Sequence, residues 1–328
     1  MNLRQRILRI NINKTLTMKN DILTITLNPA IDKNYTVDRL VPDNKLRSDN
    51  PQVDAGGGGI NVSKGISRLG GASMALTLTG GRNGELLKDL IRNEGIDLID
   101  IPINGETREN IMITEKSTNR QYRLVMEGPD IEAKLSEEIL DKISRISPAP
   151  SIIVASGSLP NGISEDFYAR IGRVVRKSGA KYIVDSSGKP LLHALAEGVF
   201  LVKPNLKELS ALAGVDTLEL DDVDEAAMEL IKKGKCEVVI VSLGAAGAML
   251  VTVSGYKQIT APVVDRRSTV GAGDSMVAGM VWSIREGRSL EEMAMMGVAC
   301  GTAATMNPGT KLFKKEDVEK LYRRISKG

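Results

Sequence analysis

An α/β fold with a mostly parallel central sheet, and a smaller sheet projecting from it, is what this 328-residue sequence predicts. Three observations lead there. Short apolar runs of strand length alternate with segments of helical apolar spacing, the pattern of a parallel sheet covered on both faces. Two β-rich runs in the first half break that rhythm. Two glycine-rich segments stand just before predicted helices, and ligands of parallel sheets bind at the carboxyl ends of the strands.

The first strand is the run 22–27, stopped by Asn28-Pro29. Further strand-length runs lie at 75–78, 151–155, 182–184, 200–202 and 238–241, with helical spacing over 85–93, 164–177 and 222–233. Helices are also predicted after the two glycine segments, over 61–69 and 277–285. The exceptions are the alternating runs 109–115 and 121–126, joined by the turn-like Lys116-Ser117-Thr118-Asn119. With 33–40 they predict a small antiparallel sheet protruding from the core, as a lid, a dimer surface or both. No repeat, low-complexity tract or linker marks a second domain. A single domain over 18–328 is expected, with lid strands from about 33–48 and 107–127. Residues 1–17 lack the long apolar segment and cleavage site of a secretory signal, and Met18-Lys19-Asn20-Asp21 reads as an alternative start. The run 1–17 is set aside as an extension or a start-site artefact.

Composition excludes several classes. The net charge of +3 comes from Arg4, Arg6, Arg9, Lys14 and Lys19, which leave the remainder at −2. With mixed charges and only one Trp, six Tyr and three Phe, no basic, aromatic face for nucleic acid is predicted. The longest apolar run, 238–251, contains Gly244 and Gly247 and is too short for a bilayer, so no membrane span is expected. Cys236 and Cys300 are far apart, without metal-ligand spacing, and read as reduced core residues of a cytoplasmic protein. The one histidine, His193, lies in a helix-like stretch, so a Ser/His/Asp triad, a zinc site or a phosphohistidine is hard to build here.

Gly56-Gly57-Gly58-Gly59-Ile60-Asn61 lets a ligand approach the backbone, and the helix behind it offers N–H groups to hydroxyls or anions. A flexible loop is the plain alternative. The run does not satisfy GxGxxG, and no GxxxxGK[ST] occurs, so neither a dinucleotide fingerprint nor a Walker loop is present. Ser268-Thr269-Val270-Gly271-Ala272-Gly273-Asp274 places small residues at a helix start, where successive amides can hold a transferring phosphoryl group. Asp274 there can accept a proton from a hydroxyl, although the helix dipole alone also favours an acid in a first turn.

These two runs, together with Ser156-Gly157-Ser158-Leu159-Pro160, Val184-Asp185-Ser186-Ser187-Gly188, Lys203-Pro204-Asn205-Leu206-Lys207-Glu208 and Val241-Ser242-Leu243-Gly244, resemble the ribokinase-like (PfkB) family of carbohydrate kinases. The six motifs follow the family's order from about Ile22 to the C-terminus. The resemblance implies a ribokinase-like three-layer sandwich with a β-sheet lid that often forms a homodimer interface. It implies ATP as co-substrate and Mg²⁺, with Asp274 as catalytic base and the amides of Gly271, Ala272 and Gly273 as anion hole. Asn205 and Glu208 match the motif that organises Mg²⁺, largely through water, and Asn205 also contacts the phosphates. Lys203, Ser242, Gly244, Gly247, Val298 and Thr302 match the ATP site. Carbonyls of Ser268, Val270, Ala304, Asn307 and Gly309 match a monovalent-cation site, K⁺ being the expected ion.

For the sugar, Asp32, Gly57, Gly58 and Asn61 match positions that bind hydroxyls, and Lys45, Arg47, Arg108 and Ser158 match those that hold a phosphate already on the substrate. Within the family the likeness is to the 6-phosphofructokinase branch. The 1-phosphofructokinases and tagatose-6-phosphate kinases usually have Gly-Lys-Gly where this chain has Gly57-Gly58-Gly59. The expected reaction is therefore ATP-dependent phosphorylation of fructose 6-phosphate, with those two activities as alternatives. A silent sugar-phosphate or nucleotide sensor is the non-enzymatic alternative, against which the intact Asp274 speaks.

Overall fold

A computed structural model describes residues 21–48 and 51–327; the expected extension at 1–17 lies outside the described residues. The described residues open with β1 (Ile22–Thr26), leave the core for β2 (Ala30–Val37) and β3 (Gln52–Gly56), and return through α1 (Gly58–Arg68) to β4 (Met74–Thr79). α2 (Gly81–Asn93) leads to β5 (Asp97–Pro102), and a second excursion forms β6 (Arg108–Glu115) and β7 (Arg120–Val125). Then follow α3 (Leu135–Ser144), β8 (Ile152–Ser156), α4 (Phe167–Ser178), β9 (Lys181–Asp185), α5 (Gly188–Glu197), β10 (Val199–Val202), α6 (Leu206–Ala213) and α7 (Val223–Lys232). β11 (Cys236–Ser242), β12 (Ala248–Thr252) and β13 (Gly255–Ile259) precede the closing helices α8 (Ala272–Arg285), α9 (Leu290–Thr305) and α10 (Lys315–Ile325).

Among the described residues the core sheet has nine strands in the order β13-β12-β11-β10-β9-β8-β1-β4-β5. From β11 to β5 all neighbours are parallel, and the β12–β13 hairpin is antiparallel. Successive side chains of a strand point to opposite faces, and both faces here are covered. Leu23, Ile25, Leu76 and Ile153 pack with α3, α4, α5 and α7 through Ile139, Phe167, Ile171, Leu191 and Val223. Ile22, Val154, Leu201 and Ile240 pack with α1, α8 and α9 through Ile66, Val277, Val281 and Met293. This is the three-layer arrangement the sequence predicts, and it explains why these strands read as continuous apolar runs.

Two parts depart from the expectation. The lid is a four-stranded sheet, β3-β2-β6-β7, and its central pair β2–β6 is parallel, so it is mixed rather than antiparallel. β2 follows β1 and β6 follows β5, two parallel core strands, so both lid strands leave the same edge of the core in the same direction. Residues 41–48 contain no strand, and the fourth lid strand is β3 instead. In the core, the long apolar run breaks at Gly244–Ala246 into the antiparallel strands β11 and β12.

Candidate active site

Two glycine-rich turns meet at the carboxyl edge of the core sheet. α1 and α8 share one face of the sheet, with Val62 and Ile66 packed in the same cluster as Val277 and Ala278. Their first turns thereby come together, and Asn61 Nδ2 donates to Asp274 Oδ2 at 2.8 Å. Gly271, the residue before α8, has φ 71°, the left-handed region that a side chain disfavours, and a Cβ there would sit 2.8 Å from Leu312 Cδ2. The opening amides of α8 have no partner within the helix, and Ala272 N donates to Thr269 O of the preceding turn at 3.4 Å.

Asp274 is half-buried. Burial, helped by the nearby Asp185 carboxylate, pushes its pKa up to about 6, against the pull of the Asn61 hydrogen bond and the Lys203 charge. Lys203, at the end of β10, is buried with Nζ 3.2 Å from Asp185 Oδ1 and 3.4 Å from where a Cβ of Gly273 would stand. Burial disfavours its charge, but Asp185, Asp274 and Glu208 outweigh that and hold its pKa above the ordinary lysine value. Asp185 stands in a motif quoted from the sequence without a role; its pairing with Lys203 joins the ends of adjacent strands.

Beside Gly273 lies a cavity of about 530 Å³. Of the residues expected at the nucleotide, Ser242, Gly244, Gly247, Val298 and Thr302 line it, and Lys203 and Asn205 do not. Ala261, Pro262, Val263, Val264, Arg266 and Met276 also line it. Sequence reasoning missed the first five because 261–266 is an irregular segment with no periodicity, and Met276 because it reads as an ordinary buried residue of α8. Asn205 is the N-cap of α6, its side chain accepting from Glu208 N and Glu208 Oε2 accepting from Asn205 N, both at 2.9 Å. That capping box fixes both side chains at the sheet edge, where Asn205 bridges to Ser242.

On the lid side, β2 places Asp32 in register with Asp54 of β3 and Asn110 of β6. Asn110 Nδ2 donates to Asp32 Oδ1 at 2.9 Å. Burial raises the Asp32 pKa and Asp54 adds to the rise, while Asn110, Lys64 and Arg108 oppose it. Lys64, which sequence reasoning passed over, is buried on α1 with Nζ donating to Ala55 O at 3.3 Å, and burial lowers its pKa. Arg108 donates to Asn28 O, Pro29 O and Met126 O at 2.8, 3.3 and 2.9 Å, and Asn28 Nδ2 donates to Ser158 Oγ at 3.2 Å. Arg108 and Ser158 thus meet across Asn28, and the guanidinium retains further N–H donors.

Gly57 precedes α1, and Gly58 begins it so close to β8 that a Cβ would lie 2.2 Å from Ser156 Oγ. Lys45 and Arg47 are exposed on the segment after β2, with no hydrogen bond to the site among the described residues. The five residues expected around a monovalent cation fall on the segment before α8 and on the end of α9 with the loop after it, which adjoin: Arg267 N and Ser268 N both donate to Thr305 O, at 2.7 and 3.2 Å, and Asn307 N donates to Ala304 O at 3.1 Å. The lid reaches this corner as well: Arg123 of β7 donates to Thr269 Oγ1 and Ser268 Oγ to Gln121 Oε1, both at 3.5 Å. These long-range contacts left no signal in the sequence.

The geometry brings together a cavity of about 530 Å³, a carboxylate of raised pKa at a helix start, and the row Asp32, Asp54 and Asn110 of the small sheet. The family described as pfkB family carbohydrate kinase matches residues 19–317. The ATP-dependent 6-phosphofructokinase isozyme 2 of Escherichia coli (strain K12) is 40% identical over 307 residues, 93% of this chain and 99% of that protein. The tagatose-6-phosphate kinase of Staphylococcus epidermidis (strain ATCC 35984) is 32% identical over 307 residues, 93% and 98% of the two chains. Among solved structures, phosphofructokinase-2 from Escherichia coli in complex with potassium superposes with TM-score 0.89 at 40% identity, covering 93% of this chain and 99% of that one. Arabidopsis thaliana ribokinase, at 21% identity and TM-score 0.74 over 93% and 99% of the chains, shares the fold.

Proposed function

This chain belongs to the pfkB family of carbohydrate kinases, and on that premise we propose that it transfers the γ-phosphoryl group of ATP to the 1-hydroxyl of fructose 6-phosphate. The observation that carries the reading is Asp274, a carboxylate of raised pKa set between the nucleotide-sized cavity and the Asp32 row. A general base works best with a pKa near the working pH. As the bond from O1 of the sugar to the γ-phosphorus forms and the bond to ADP breaks, Asp274 takes the hydroxyl proton. Asn61 orients the carboxylate. The amides of Gly271, Ala272 and Gly273, with the Lys203 ammonium behind them, stabilise charge on the transferring group. Arg108 and Ser158 hold the 6-phosphate, and Lys45 and Arg47 supply further cations at its approach.

Among the described residues no group of three or more His, Cys, Asp or Glu side chains is placed to cage a metal. A sparse donor set suits Mg²⁺, which keeps several waters and takes one or two carboxylates besides the phosphates. Asn205 and Glu208 would hold it, and when bound it would neutralise charge on the ATP phosphates. The carbonyls of Ser268, Val270, Ala304, Asn307 and Gly309 would take K⁺. We place the enzyme in the cytoplasm as a homodimer formed through the lid, whose strand β7 exposes Tyr122, Leu124 and Val125. No helix among the described residues is long and apolar enough to cross a membrane.

Fructose 6-phosphate is favoured over tagatose 6-phosphate and fructose 1-phosphate by Gly58. A lysine there would drive its Cβ into Ser156 Oγ, so β8 and α1 are built around a glycine. The test is ADP release with all three sugar phosphates and ribose in parallel. Fructose 6-phosphate should give the highest kcat/KM. A higher value for either other sugar phosphate transfers the assignment to it, and binding without turnover of any substrate would establish a sensor.

A further inference from the structure

The loop after α9 touches the lid through one side chain that the proposed chemistry does not use. Thr310 is 9% exposed, and its hydroxyl accepts from Asn34 Nδ2 at 2.8 Å and donates to Asp54 Oδ2 at 2.6 Å. A hydroxyl has one proton, so the order is directional: amide to hydroxyl to carboxylate. Asn34 stands two residues beyond Asp32, on the same face of β2, and Asp54 lies directly opposite Asp32 in the β2–β3 register. Both lid residues that Thr310 grips therefore flank the carboxylate proposed to bind the sugar.

The surrounding charges make that grip consequential. Asp54 and Asp32 are neighbouring carboxylates, and their positive counterpart is the buried Lys64 on α1. A hydrogen bond from Thr310 stabilises Asp54 in place beside Asp32. The same clasp leaves Asn34 Oδ1 buried without a partner, 3.3 Å from where a Cβ of Gly309 would stand.

We propose that Thr310 is a positioning residue: by joining Asn34 and Asp54 to the loop that follows α9, it sets Asp32 for the sugar and links sugar binding to that loop. The proposal rests on the phosphofructokinase reading above. Because Gly309 and Asn307 are expected to offer carbonyls to a monovalent cation, order in that loop reaches Asp32 through the Thr310 hydroxyl. The effect belongs to the sugar and not to the nucleotide, whose cavity is lined by none of Thr310, Asn34 and Asp54.

The experiment compares Thr310→Val, Thr310→Ser and Asn34→Ala with the natural chain, in steady-state kinetics with and without KCl and in amide hydrogen exchange. Thr310→Val keeps the shape and removes the hydroxyl. It should raise KM for fructose 6-phosphate about tenfold, the size of one lost charge-assisted hydrogen bond. KM for ATP and kcat should stay within about twofold, and any lowering of the sugar KM by KCl should be lost. Thr310→Ser should restore the natural values, and Asn34→Ala should fall between. Amides of Gln52–Gly56 should exchange faster in Thr310→Val than in Thr310→Ser. An unchanged sugar KM, equal rises in both KM values, or failure of serine to rescue overturns the proposal. If the natural chain does not turn over fructose 6-phosphate, the kinase assignment falls, and the clasp is decided by exchange: equal rates in the valine and serine variants refute it.

Discussion

At the scale of single residues, Asp274 sets two expectations. Asp274→Asn should lower kcat by at least ~10² to 10⁴, the usual contribution of a positioned base, with ATP binding retained. An ATP Kd that weakens in step with kcat would make the residue structural. The carboxyl pKa of about 6 lies above the model-peptide value of 3.8, so the base is in working form above pH 6, and kcat/KM should fall tenfold per pH unit below it. Asn61 stabilises the carboxylate, so Asn61→Ala should move that limb to higher pH; a limb that stays put or moves down removes Asn61 from this role. The raised pKa also means the folded chain holds a proton that the unfolded chain has lost between pH 4 and 6. Stability from this group therefore declines over that window and stays lower above it. Arg108→Ala should raise KM for the sugar phosphate far more than for ATP, whereas equal rises would assign the arginine to its three carbonyl contacts. Asp274 and Asn61 were each legible as chemistry-bearing types at helix starts. Their contact was not, because it joins positions 213 residues apart. Lys64 and Thr310 escaped notice because an isolated lysine in a helix and a threonine in a loop carry no pattern.

At the scale of elements, the parallel strands were legible because burial on both faces makes them unbroken apolar runs. β5, with Asp97 and Asp100, and the exposed β13 were not, since edge strands need no such run. The parallel pairing of β2 with β6 was also hidden, because it depends on how the chain leaves the core and not on local pattern. Gly58 gives this scale its prediction. Gly58→Ala puts a methyl 2.2 Å from Ser156 Oγ, so α1 or the end of β8 must shift. The variant should lose roughly 1–3 kcal/mol of stability, as overpacked sites do, and bind fructose 6-phosphate more weakly. Thermal melting and sugar KM check it, and a variant equal to the natural chain in both would show that the turn is free to move.

At the scale of the whole molecule, the lid face of β7 is the expected contact between two copies. Tyr122 and Leu124, on one face of β7, are 41% and 45% exposed, an apolar pair on an edge strand. Tyr122→Asp together with Leu124→Lys should convert the species seen by light scattering from dimer to monomer. Dimers that persist would place the interface elsewhere. Because β7 also touches Ser268 and Thr269, the monomer should lose activity as well as mass.

The place of β1 in the core sheet has a consequence for how the chain comes into being. The first strand lies between β4 and β8, so on the ribosome it must wait for a partner that emerges more than a hundred residues later. The Asn61–Asp274 contact waits longer still, until α8 has been made and can fold back onto α1. Pairings of such long sequence separation are slow to form and leave apolar strand edges uncovered meanwhile. A nascent chain stalled just before α8 carries Asp32, Arg108 and Ser158 but lacks Asp274, with apolar strand faces that α8 and α9 have yet to cover.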